Sequence, residues 1–183
     1  MRINPNHRSN FNSLMSGDAP DVEFLPPLID LTRKSFLNKH GIPPVFLMEK
    51  NGDIQPIMVP SNLVNSEAGK DDLANLMEAA VNSFKPDSHC FISEAWMYKM
   101  ADFDNKEDAL KALEDFKSGI PCDNIQKIEG LVFSFTKINS DSSTEKWVGT
   151  MPFHRDSADK ISSFEPMKWI KQEGEHTFEG RFV

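Results

Sequence analysis

Two stretches of this chain carry residues that could do proton-transfer chemistry. Glu94 stands inside an otherwise apolar run, His89-Cys90-Phe91-Ile92-Ser93-Glu94-Ala95-Trp96-Met97-Tyr98. In an extended strand Ile92, Glu94 and Trp96 share a face, so the pattern sets a carboxylate among apolar neighbours. Burying such a group is costly unless it is paired or hydrogen-bonded. It is then either a structural anchor or an acid or base with a raised pKa. His154-Arg155-Asp156 closes a second strand-like run and adds an imidazole, a guanidinium and another carboxylate. With His154 and Asp156 beside Glu94 the set could act as catalytic acid and base, and Trp96 and Arg155 would hold a ligand. The competing reading is a Glu94 paired with a lysine or arginine, and ordinary polar residues at a strand end.

Other motifs do not survive a check of their surroundings. His154-Arg155-Asp156 has the letters of a protein-kinase catalytic loop, but Ile161 stands where that loop needs its Asn, and neither Asp-Phe-Gly nor a glycine-rich loop accompanies it. Gly69-Lys70-Asp71 lacks the earlier glycine and the following Ser or Thr of a phosphate loop, and reads as a helix entry. Pro121-Cys122-Asp123-Asn124-Ile125 offers one cysteine of a deaminase-type zinc site, with Ile125 in place of the second. The five histidines show no metal-binding spacing, so neither a metal nor a cofactor is expected. Cys90 reads as a small buried apolar residue.

The elements that must position these residues follow from periodicity. Residues 1–22, rich in Asn, Ser, Pro and Asp, predict a loose arm, with the domain running over 23–183. Leu25, Leu28, Ile29, Thr32 and Phe36 fall at helical spacing, with Pro26-Pro27 in the first turn and Gly41 as the stop. Asn51-Gly52, between Val45–Lys50 and Asp53–Val59, predicts a tight hairpin whose second strand, carrying Pro56, lies at an edge. Leu73, Leu76, Met77, Ala80, Val81 and Phe84 form one face of a second helix with Asp71 and Asp72 in its first turn. His89–Tyr98 predicts a central strand covered on both sides.

A third helix is expected over 106–117, capped by Asn105. Strands follow over 128–138 and 144–153, joined by a polar loop. Leu131, Phe133 and Phe135 share one face, and Trp147, Met151 and Phe153 another. A last pair is expected over 164–171 and 176–182, turning at Glu173-Gly174. Together these predict one α+β domain: a mainly antiparallel sheet with about three helices packed on one side.

In the order of its parts the chain resembles a family of small, uncharacterised bacterial and phage proteins. There a helix, a hairpin, a helix led by a Lys-Asp pair and a strand ending in Glu-Ala-Trp follow one another. Here these are the hairpin within Pro44–Val59, Gly69-Lys70-Asp71 and Ser93–Trp96, about half the chain. The helix over 105–119 is a departure from that pattern. The resemblance implies an α+β fold and brings no activity with it.

Composition narrows the function classes. The chain has 183 residues and a formal net charge of −8, which disfavours a broad nucleic-acid surface, since that affinity rests on neutralising phosphates. Neither a secretory leader nor a membrane-length apolar run is visible, and two cysteines fit a reducing compartment, so the expectation is a cytoplasmic protein. Three Trp, 14 Phe and nine Met are enough both for a core and for an interface. The leading expectation is a non-enzymatic binding or accessory domain acting through a protein partner or as a homodimer. The alternative is an enzyme or small-ligand binder built around Glu94, His154 and Asp156. A third reading, a protein that mimics nucleic-acid charge, requires the acidic residues on one face.

Overall fold

The computed structural model describes residues 15–16, 19–39, 43–100 and 106–172. In chain order its elements are β1 (Met15–Ser16), α1 (Leu25–Lys39), β2 (Val45–Lys50), β3 (Asp53–Met58), α2 (Ser61–Val64), α3 (Glu67–Phe84), β4 (Ser88–Met100), α4 (Lys106–Lys117), β5 (Ile125–Ile138), β6 (Thr144–Arg155), β7 (Ile161–Phe164) and β8 (Met167–Gln172). The strands form one sheet in the order β1-β8-β6-β5-β4-β2-β3, with β7 pairing β6 beside that path. Every pairing is antiparallel except the two-residue parallel contact of β1 with β8. This is the expected α+β domain on a mainly antiparallel sheet.

The hairpin forms where its turn residues dictate. Asn51 and Gly52 both have positive φ, 51° and 83°, and Lys50 faces Asp53 across the turn. β3 is an outer strand of the sheet, as Pro56 requires. α3 begins four residues before Asp71, because the Ser66 hydroxyl accepts the Gly69 N–H at 3.0 Å and caps the helix at Glu67. Asp71 and Asp72 therefore stand in its second turn, not its first. Gly69 lies against the short helix α2: a Cβ there would stand 2.8 Å from the Leu63 carbonyl oxygen.

The helices do not share one side of the sheet. On β2 and β4, Leu47, Cys90 and Ile92 face one way and pack with Leu25, Ile29 and Phe36 of α1. The intervening residues Phe46, Met48 and Phe91 face the other way and pack with Leu73 of α3. Both faces of these two strands are apolar, so each demands its own cover. α4 lies on the α1 side, with the Phe116 and Tyr98 rings 6.0 Å apart.

Cross-strand register also merges two expected faces into one. Phe135 faces Trp147 and Leu131 faces Met151, so all four sit in the α1 core with Phe133 and Phe153. Gly149, opposite Phe133, leaves room for Trp169, whose ring would lie 2.8 Å from an added Cβ. The expected strand over 164–171 is broken at Glu165-Pro166 into β7 and β8, since proline cannot donate to a ladder. Its proposed partner over 176–182, the Gly41 stop and the Asn105 cap lie outside the described residues. The end of the expected arm belongs to the domain: Ala19 and Val22 pack against the α1 core.

Candidate functional site

One face of β4 can be read as a line. Ser88, Cys90, Ile92, Glu94, Trp96 and Tyr98 alternate onto the α1 side, with Lys137, Phe135, Phe133, Leu131, Glu129 and Lys127 of β5 opposite them. Cys90 and Ile92 are fully buried beneath α1. Beyond Ile92 the cover ends. Glu94 is exposed and Trp96 is 47% exposed, which corrects the expectation of a carboxylate sealed among apolar side chains. The line of apolar residues in the sequence continues past the helix that covers it.

Glu94 and Trp96 line a shallow cleft of about 160 Å³ together with Glu129 and Phe153. Arg155 closes its edge. The Arg155 Nε donates to Glu129 Oε2 at 2.5 Å and its Nη1 donates to the Asp159 carbonyl at 3.0 Å. The guanidinium stands 5.3 Å from the Phe153 ring centroid. The hydrogen bond to Glu129 holds Arg155 above its ordinary pKa against the opposing effect of burial, with the charges of Glu129, Asp159 and Glu94 adding to it. Lys127 lies over Trp96, its ammonium 4.3 Å from the ring centroid, a geometry in which the ring face attracts the cation. The cleft thus has an aromatic wall, two carboxylates and two cations already engaged with that wall.

Of the five residues singled out in the sequence, three meet here: Glu94, Trp96 and Arg155. His154 and Asp156 do not. Strand alternation turns His154 to the face of β6 opposite Arg155, where it is exposed and its Nε2 lies 3.2 Å from Glu165 Oε1. Asp156 is a turn residue. Its Oδ1 accepts the N–H groups of Ala158 at 2.8 Å and Lys160 at 2.9 Å. These bonds hold its carboxyl below the usual range, so it stays ionised and bound to its own loop. The acid/base set of Glu94, His154 and Asp156 is therefore not assembled.

Glu129, Lys127 and Phe153 were missed, although Glu129 carried the same signal as Glu94. It is a charge at an apolar-face position, two residues before Leu131 in the strand. Cys90 is buried, and burial pushes its thiol pKa up, which fits a packing role. Among the described residues no group of three or more His, Cys, Asp or Glu side chains is placed to hold a metal ion, and no helix is long and apolar enough to cross a membrane. No family model, curated protein or solved structure matches this chain.

Proposed function

We propose that this protein is a non-enzymatic binding or accessory domain that acts through a protein partner, and that the face around Trp96 is its contact surface. With the resemblance read from the sequence, we take it as an accessory protein of the small bacterial and phage type. The observation that carries the reading is Trp96 itself: a half-exposed indole held on β4 within its long ladder with β5, between Lys127 and the Glu129–Arg155 pair. Trp and Arg are the side chains that most often dominate interface energy. A rigid strand presents them with little ordering left to lose on binding. Glu94, Glu129, Lys127 and Arg155 balance in charge, which suits a mixed protein surface better than a phosphate backbone.

Two observations weigh against catalysis. His154 and Asp156 stand away from Glu94, and the cleft is about half the smallest volume common for small-molecule sites, roughly 300 Å³. The test is site-specific photo-crosslinking in extracts of the native host, with the photoreactive residue at position 96 and, as control, at the exposed edge position 55. The expected result is one discrete adduct from position 96 that excess unlabelled protein suppresses and excess Trp96→Ala protein does not. The same adducts from both positions, or equal competition by the variant, would refute the reading. An adduct of twice the chain mass would replace the partner with a second copy.

A further inference from the structure

A second and larger concavity, about 440 Å³ in volume, lies at the start of the same β4 face. The buried pair Cys90 and Ile92 separates it from the Trp96 cleft, so it is independent of the function proposed above. Four parts of the chain build it: the segment before α1, the β2–β3 turn, the link from α3 into β4, and the end of β5. Its apolar lining is Val22, Phe24, Ile54 and Ile138. Its polar lining holds four carboxylates, Asp21, Glu23, Glu49 and Asp87, against one ammonium, Lys137.

Two of those carboxylates are fixed in advance. Glu49 accepts the Gly52 N–H at 2.6 Å on one oxygen and the Ser88 hydroxyl at 3.1 Å on the other. Asp87 accepts the Asn51 N–H at 2.8 Å. The Asp87 N–H donates to the Glu49 carbonyl, and its own carbonyl accepts the Ile138 N–H, each at 2.8 Å. Hairpin turn, link and β5 are thus tied together around the cavity, with Ser88 only 2% exposed at its base. An ionised carboxylate has about four acceptor sites. The three side-chain bonds therefore leave Glu49 and Asp87 with acceptor capacity to spare.

We propose that this cavity binds a small organic cation: an amine or guanidine carried on an apolar body. The volume falls in the range of roughly 300–1,000 Å³ typical of small-molecule sites. Even with Glu23 set aside, Asp21, Glu49 and Asp87 outnumber Lys137, and that excess selects positive charge. Phe24, Ile54 and their neighbours select a ligand with apolar surface, and the lack of a metal-binding trio among the described residues disfavours a bare ion.

The test is titration of the isotope-labelled full chain, followed by amide NMR shifts, with 2-phenylethylamine as probe. Phenylacetate, which has the same body and the opposite charge, and ammonium chloride, which has no body, serve as controls at equal ionic strength. Saturable shifts at Gly52, Ile54, Ser88 and Ile138 are expected, with an affinity at least tenfold above either control. Glu49→Gln with Asp87→Asn should weaken binding at least tenfold. Because Glu49 also supports the hairpin, Val22→Trp provides a second arm: it narrows the cavity from the segment before α1 without touching those hydrogen bonds, and it should abolish the shifts in a chain whose unchanged β4 and β5 amide spectrum shows it to be folded. Equal binding of phenylacetate, shifts scattered over α3 and α4, or undiminished binding by Val22→Trp would overturn the proposal.

Discussion

His89 stands half-buried with its ring 5.4 Å from that of Phe46. Burial, and after it the charge of Lys146, pushes its pKa down from 6.5 to about 4. The folded protein therefore holds this imidazole neutral, while the unfolded chain takes up a proton as soon as the pH falls through 6.5. Stability is full above that value and declines as pH drops toward 4, by up to about 3 kcal/mol from this group. Urea unfolding at pH 7, 5.5 and 4 should show that decline, and His89→Phe should flatten the part due to it. A variant as pH-sensitive as the parent would assign the acid sensitivity elsewhere. The sequence made His89 visible only as the first residue of a strand. Its lowered pKa depends on burial beside Phe46 and on the charge of Lys146, residues distant in the chain. Glu94 shows the opposite failure: its apolar neighbours were legible, but the length of sheet that α1 covers was not.

Pro56 does more at the level of the element than mark an edge. The pair that closes a two-residue hairpin exchanges hydrogen bonds, and so does every second pair beyond it. Lys50–Asp53, Met48–Gln55 and Phe46–Ile57 are these pairs, and the bond from the Val59 N–H to the Pro44 carbonyl continues the series. Pro56 falls in between, so its nitrogen faces the open side, where a neighbouring strand would look for a donor. That missing donor protects the edge from pairing with a second copy. Pro56→Val restores the donor and adds a strand-favouring side chain. Light scattering on a concentration series should then give an apparent mass rising toward that of a dimer. A variant whose apparent mass follows the parent's at every concentration would show that the edge is guarded by something else. Hairpin, α1 and α4 were legible because their signals are local: a turn dipeptide and a 3.6-residue period. The side of the sheet on which each helix sits was not. It is decided by which strand lies beside which, and strands apolar on both faces fit either arrangement.

At the scale of the molecule, the acidic residues behind the net charge of −8 are not gathered on one surface among the described residues. Glu67, Asp71, Asp72 and Glu78 ride on α3, while Glu107, Asp108 and Glu114 ride on α4, across the sheet. Charge mimicry of a nucleic acid loses its geometric basis among the described residues. The α+β class was legible from the mixture of periods. The parallel contact between β1 and β8 was not, since nothing in Met15-Ser16 marks it as a strand. That contact has a kinetic consequence. It joins Met15 to Met167, closing a loop of about 150 residues, and closure entropy of that size is opposed by a ladder only two residues long. Every other pairing in the sheet can form before it, and none of them needs it. The β1 contact should therefore be the last to form and the first to open. In native-state hydrogen exchange the Ser16 amide should exchange through a local opening far below the global unfolding free energy, while Phe133 and Ile92 exchange only with the whole sheet. The molecule would then spend part of its folded life with the β8 edge unpaired, a transient strand acceptor at the end of the sheet that Pro56 does not guard.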